Sequence, residues 1–352
     1  PISNDVYVGS NVVHKTSNKA VNWEIISPDL TRRLLENDEE KADIPGGPIQ
    51  NDATGVEVYS SIFALEESPH NDKEIWVGSD DGLIHITRDG GISWQNITPN
   101  KIIPYQGTIN KIELSSHKEG RALVAVYNYR NNDFKPYIIL TDDFGANWKL
   151  ITENNGIPSN HFVRTVSEDP VKKGLIYAGT EFGAYFSLNN GKSWNSLQLN
   201  LPHVPITDME VAGNDLAIST QGRGFWLLDK INILQELNNI NKNPEKVHLF
   251  KPETAYRTNI GSGWRSGGIS FENDISFYLP NDIPIKDFEM YIKDDKGNVV
   301  IDFKKDTVYL WDVDYDSNTV YSGVHTVYWD LQDKAPKLQQ DFVSMYYSSR
   351  SG

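Results

Sequence analysis

Three stretches of the chain end a run of apolar and small residues in polar side chains at matching places. They are IWVGSDDG (75–82), IYAGTEFG (176–183) and LAISTQGRG (216–224). Asp80 and Asp81, Glu181, and Gln221 with Arg223 therefore occupy equivalent points, and Arg164 on an adjoining apolar run adds a cation. Carboxylates, an amide and guanidinium groups so placed suit recognition of a polar ligand. Two carboxylates about 5–10 Å apart across a cleft would suit glycoside hydrolysis. The structural alternative is that these groups solvate a rim or cap turns, with Arg164 pairing to Glu168 or Asp169. Tyr127, Tyr129 and Phe182 nearby either stack on a ligand or fill gaps between repeats.

Other chemistries find no support. The eight histidines are dispersed, without the His-x-x-x-His spacing of a metal site, and there is no cysteine to supply a thiolate. GSDDG lacks the spaced acidic ladder of a calcium loop. No Gly-rich loop followed by Lys and Ser/Thr is present to hold phosphate. Neither metal nor cofactor is expected.

The elements that position these residues are announced by a motif, Ser/Thr-x-Asp-x-Gly-x-x-Trp, the pattern called an Asp box. It is intact at Thr87, Asp89, Gly91 and Trp94 and again at Thr141, Asp143, Gly145 and Trp148. A third copy has Asn for Asp (Ser187, Asn189, Gly191, Trp194), and a fourth is eroded to Thr16, Asn18, Ala20 and Trp23. Its carboxylate should accept backbone N–H bonds of a tight turn, its Gly should take positive φ, and its Trp should staple the hairpin to a neighbour. These carboxylates are thus turn parts rather than catalysts. The tryptophans recur about every 45 to 70 residues, the range of a four-stranded propeller blade with one enlarged loop. Each repeat opens on an apolar strand (62–65, 109–114, 162–166, 206–211), and the last repeat, ITDMEVAGNDLAISTQGRGFWLLD, has no box.

Composition narrows the class further. The 352 residues carry 48 Asp plus Glu against 33 Lys plus Arg, a formal charge of −15 with no long basic run, which argues against nucleic acid. No stretch approaches eighteen apolar residues, so no membrane span is expected. The segment 29–58 is charged and then Gly/Pro-rich, the composition of a long loop. The expected organisation is all-β: about four to five propeller blades in 1–230, a short helix and Asn-rich linker in 231–246, and a small immunoglobulin-like sandwich in 247–352. Asp294 to Gly297 reads as a hairpin turn within that sandwich. So few blades leave open edges, which predicts further repeats of the same parent chain to complete the ring.

The blades resemble the bacterial neuraminidase repeats of the sortilin-like propeller superfamily. More narrowly, WEIISPDLT, IWVGSDDGLIHITRDGGISWQNITP and FVRTVSEDPVKKGLIYAGTEFGAYFSLNNGKSW are similar to the C-terminal part of large secreted bacterial proteins often labelled "glycosyl hydrolase". That resemblance implies a secreted, periplasmic or cell-surface protein. With no motif assigning its arginines to a sialidase-like triad, the function expected is non-catalytic binding or scaffolding with a glycan or protein ligand. The alternative is a sialidase- or xyloglucanase-like glycoside hydrolase whose site lies partly in further repeats.

Overall fold

A computed structural model describes residues 3–32, 59–252, 254, 273–303 and 319–329. The chain divides into two compact units, Pro1–Ile231 and Asn232–Gly352.

The first unit is a succession of antiparallel sheets, each built from consecutive strands, which is the construction of β-propeller blades. The opening sheet has three strands, β1 (Val6–Gly9), β2 (Val13–Thr16) and β3 (Glu24–Ile25). Three four-stranded sheets follow. The second holds β4 (Ile62–Glu67), β5 (Ile75–Ser79), β6 (Ile84–Thr87) and β7 (Gln95–Asn96). The third holds β8 (Thr108–Leu114), β9 (Ala122–Asn128), β10 (Asp133–Thr141) and β11 (Lys149–Leu150), and the fourth β12 (Val163–Glu168), β13 (Ile176–Thr180), β14 (Gly183–Ser187) and β15 (Asn195–Ser196). The last has three strands, β16 (Ile206–Ala212), β17 (Asp215–Thr220) and β18 (Phe225–Leu228).

Packing between sheets explains the small residues that end the second strands. Every residue of β5, β9 and β13 is buried, because neighbouring sheets cover both of their faces. The first Ile of the next sheet lies where a Cβ would stand on Gly78 (Ile109) or Gly179 (Ile206), so only glycine allows that approach. First strands of successive sheets consequently pack against one another, β4 on β8 on β12 on β16. Apolar cores fill the spaces between sheets, with Trp76, Ile86, Ile112 and Val124 in one and Leu123, Ile138, Val166 and Ile176 in the next.

The recurring motif closes each hairpin in one way. Thr141 Oγ1 donates to Asp143 Oδ1 (2.9 Å), while Asp143 Oδ1 accepts the Asn147 N–H (2.8 Å) and Thr141 Oγ1 accepts the Gly145 N–H (3.1 Å). The corresponding bonds form at Thr87/Asp89/Gly91 and Ser187/Asn189/Gly191. Each indole N–H then reaches the preceding sheet: Trp94 donates to Ile26 O (2.9 Å), Trp148 to Ile97 O (3.0 Å) and Trp194 to Ile151 O (2.8 Å). The eroded copy keeps the turn, with Ala20 at φ 66° donating to Thr16 Oγ1, but not the staple. Its Trp23 is 42% exposed and meets no such carbonyl, since no sheet precedes it among the described residues.

Polar side chains add a second set of ties. His70 Nε2 bonds Ser115 O (3.0 Å) and His117 Nε2 bonds Asp169 O (2.7 Å), each linking a turn to that of the next sheet. Arg121 is buried and spans the third and fourth sheets, donating to Glu168 Oε1 (2.8 Å), Asp142 Oδ1 (3.0 Å) and Asn190 Oδ1 (2.8 Å).

The second unit starts with α1 (Asn232–Lys242), which begins where a short helix was expected and continues past Leu237 into the stretch expected as an Asn-rich linker. Ile233, Leu234, Leu237 and Ile240 recur at helical spacing and supply the apolar face that outweighs the modest helix propensity of Asn. Strands β19 (His248–Leu249), β20 (Asn273–Leu279) and β25 (Gly323–Trp329) form one sheet. Strands β21 (Ile283–Pro284) and β24 (Thr319–Val320) pair, as do β22 (Tyr291–Lys293) and β23 (Val299–Asp302), around Phe277, Phe288 and Val327. Asp294 caps the turn between β22 and β23, with Gly297 at φ 84°. Most of the charged and Gly/Pro-rich segment 29–58 lies outside the described residues. Among them no helix is long and apolar enough to cross a membrane.

Candidate functional site

The first strands of the second to fifth sheets, β4, β8, β12 and β16, each carry a β-bulge at the same place. Pairing with the second strand skips one residue between Ile62 and Ala64, Ile109 and Lys111, Val163 and Thr165, and Ile206 and Asp208. The skipped residues are Phe63, Asn110, Arg164 and Thr207. A bulge twists the strand and re-aims the extra side chain, and repetition in four neighbouring sheets gathers four such side chains at one end of the inner strands.

The loops after the second strands meet this end. Arg164 Nε donates to Glu181 Oε2 at 2.6 Å, an ion pair with both side chains partly accessible. Arg164 therefore pairs with neither Glu168 nor Asp169, the partners that the structural alternative offered. Glu168 is held by Arg121, and Asp169 accepts from the Val171 and Lys172 backbone. Asn110 Nδ2 donates to Arg164 O and fixes the bulge from the adjoining strand. Aromatic rings continue outward: the Arg164 guanidinium lies 5.3 Å from the Phe162 ring centroid, and Phe162 stacks on Tyr129 at 5.0 Å and contacts Phe134 at 6.2 Å. On the other side Phe182 packs on His161 at 4.7 Å. Phe134 and Phe182 are each 44% exposed, whereas Tyr127 is buried and fills space between sheets.

The remaining sequence candidates separate from this pair. Asp80 is buried and accepts the Ser61 N–H (2.9 Å); burial pushes its carboxyl up to about 6. Asp81, also buried, accepts the Arg32 N–H (2.8 Å) and the Ser79 hydroxyl (2.5 Å). Both are turn carboxylates, Asp80 holding the backbone at Ser61 and Asp81 at Arg32. Gln221 and Arg223 are exposed, with no side-chain hydrogen bond among the described residues.

The opposite end of the same strands holds residues that the sequence reading passed over. Glu66, Glu113, Ser167 and Glu210 occupy one register position, opposite Trp76, Leu123, Tyr177 and Ala217. Together with Glu67 and Glu168 they line a cavity of about 190 Å³. Glu113 Oε1 accepts from the Glu168 N–H (3.1 Å) and the Ser167 hydroxyl (3.3 Å), yet burial outweighs these donors and pushes its carboxyl up to about 8. Burial also raises Glu66. The signal was present in the first strands aligned on their bulges, IFALEE, INKIEL, VRTVSE and ITDMEV, whose fifth residues are Glu, Glu, Ser and Glu. Among the described residues no three His, Asp or Glu groups converge as metal ligands.

No protein-family model and no curated protein matches the chain. Solved structures with partial likeness include the GH74 xyloglucanase of Xanthomonas campestris, at 14% identity over 64% of this chain and 35% of that one (TM-score 0.47). The GH74 enzyme of Niastella koreensis has 14% identity over 78% and 40% (TM-score 0.46). The chain thus spans well under half the length of these enzymes. YCF48 bound to D1 peptide has 16% identity over 92% of this chain and 88% of that one (TM-score 0.38). Likeness at this level assigns no activity. What the chain's own sheets establish is a repeat protein made of β-propeller blades.

Proposed function

We propose that the first unit is a ligand-binding module, non-catalytic, whose binding face is the bulged end of the inner strands and whose ligand is a glycan. The observation that carries this reading is the bulge repeated in four sheets, which sets Phe63, Asn110, Arg164 and Thr207 at equivalent positions of neighbouring first strands, with Arg164 paired to Glu181 and Asn110 bonded to the Arg164 carbonyl. Exposed Phe134 and Phe182 flank that pair and offer ring faces to sugars, while the ion pair offers donors and acceptors to hydroxyl groups. The carboxylates here are engaged as an ion pair or as turn caps, an arrangement suited to holding a ligand rather than to proton transfer. The sequence resemblance supports placing the parent protein outside the cytoplasm.

The test is a glycan array probed with the wild-type chain, Arg164→Ala and Phe182→Ala. Each variant should lose at least about tenfold in affinity with little change in melting temperature, because both side chains are partly exposed. Binding that survives both changes would sink the assignment. A peptide ligand at the same face would appear as array silence with Arg164-dependent capture of an extended peptide.

A second reading, glycoside hydrolysis, is favoured by one observation at the other end. Burial pushes the Glu113 carboxyl up to about 8 where it lines a cavity with Glu66 and Glu210, a direction that suits a general acid. It predicts polysaccharide cleavage abolished by Glu113→Gln and untouched by Arg164→Ala.

A further inference from the structure

The opening sheet is built from the outer part of a blade. The box that joins β2 to β3, Thr16 to Trp23, sits where later sheets carry it between their third and fourth strands, and VYVGS (6–10) on β1 matches IWVGS (75–79) on β5. Gly9 meets Ile62 at the close approach that Gly78 makes with Ile109 and Gly179 with Ile206. β1, β2 and β3 therefore correspond to second, third and fourth strands. Among the described residues no strand pairs with the other edge of β1.

Alternation fixes what that edge presents. The Ile26 N–H donates to Val13 O (3.0 Å), so Val13 and Lys15 bond toward β3, and His14 and Thr16 toward Val8 and Val6 on β1. The N–H and C=O groups of Tyr7 and Gly9 point the other way, to the open edge. Its flank is apolar. Ile62 and Leu65, the first and fourth residues of β4, are only partly buried, whereas their counterparts Ile109 and Ile112 on β8 and Val163 and Val166 on β12 are buried against the preceding sheet. Val6 and Val8 are exposed where the matching Ile75 and Val77 are buried.

We propose that the open edge of β1 seats an inner strand antiparallel to it, supplied by a further repeat of the parent chain, which makes the first sheet four-stranded and covers Ile62 and Leu65. Continuity with the packing of β4 on β8 on β12 on β16 identifies this occupant, because a strand at the edge extends the same series by one. The fit specifies its side chains. They are apolar opposite Ser10 and Val8, as Ile62 and Leu65 lie opposite Ser79 and Val77, and small opposite Gly9, as Ala64 lies opposite Gly78. Exposed Val6 and Val8 call for the body of a blade behind that strand, which a lone peptide does not supply. The site is independent of which ligand the bulged face takes.

Seven residues separate the first strand from the second in the second, third and fourth sheets. A copy of residues 161–170 fused ahead of Pro1 keeps that spacing between the copied Glu168 and Val6, with the full chain following unchanged. Hydrogen exchange at Tyr7 and Gly9 should be rapid in the chain alone and slower by at least about a hundredfold in the fusion, while Tyr177 on β13 stays constant. Ser167 lies opposite Tyr177 and donates toward β13, so Ser167→Pro in the copy removes a ladder donor and should abolish the gain. Unchanged exchange in the fusion, or equal protection with and without the proline, overturns the proposal. Slow exchange in the chain alone also overturns it, and dependence on protein concentration would then identify a second copy on this edge. If the fusion does not fold, the free peptide of residues 161–170 at about 1 mM, the weak end of specific binding, should shift the Tyr7 and Gly9 amide resonances of the full chain. Unmoved resonances there contradict the inner-strand seat.

Discussion

The indole N–H of Trp148 donates to the carbonyl of Ile97 at 3.0 Å, and the side chain of the same Ile97 closes on Gly145. Ile97 lies three residues after Trp94, the tryptophan of the preceding repeat, so each motif both staples backward and builds the socket for its successor. Trp94 with Ile26 and Trp194 with Ile151 repeat the relationship.

Trp148 also meets Trp76 edge-on at 6.2 Å within the core between the second and third sheets. Trp148→Ala should cost about 3–5 kcal/mol in urea unfolding, the usual penalty for emptying a large aromatic site. Trp23→Ala, without a socket, should change stability by less than about 0.5 kcal/mol.

Acid sensitivity should trace to the turns. Asp89 is pulled down to about 2, first by the Ser93 hydroxyl and then by the Ser93 backbone N–H. A depressed carboxyl contributes stability that is present above its unfolded value near 3.8 and lost as pH falls through about 2. Asp89→Asn, which copies the natural Asn189, should flatten the dependence of unfolding midpoint on pH between 4 and 2.

Arg121 and Glu168 are both buried. Arg121→Met leaves the Glu168 carboxylate without its partner and should destabilise by about 3–5 kcal/mol, whereas adding Glu168→Met should restore part of the loss. Thermal melts of the single and double variants give the coupling.

Much of this architecture was legible in the chain because the motif dictates its own turn. Thr141, Asp143 and Gly145 close a hairpin with bonds only a few residues apart, and such local chemistry is visible in one sequence. Small residues at Gly78 and Gly179 likewise marked where the next sheet must approach. What stayed hidden depends on registry between sheets. Arg164 meets Glu181 rather than Glu168 because a bulge re-aims it, and Glu66, Glu113 and Glu210 converge only when separate strands are set side by side. The helical run through Asn238 and Asn239 was masked by low propensity, although Ile233, Leu237 and Ile240 carried the period.

The central claim is that ligand binds at the bulged end of the inner strands. The most direct test is hydrogen exchange with and without a saturating glycan chosen from the array. The account predicts new protection at Asn110, Arg164, Glu181 and Thr207, absent in Arg164→Ala. Protection confined to Glu66, Glu113 and Glu210 at the acidic cavity would contradict it.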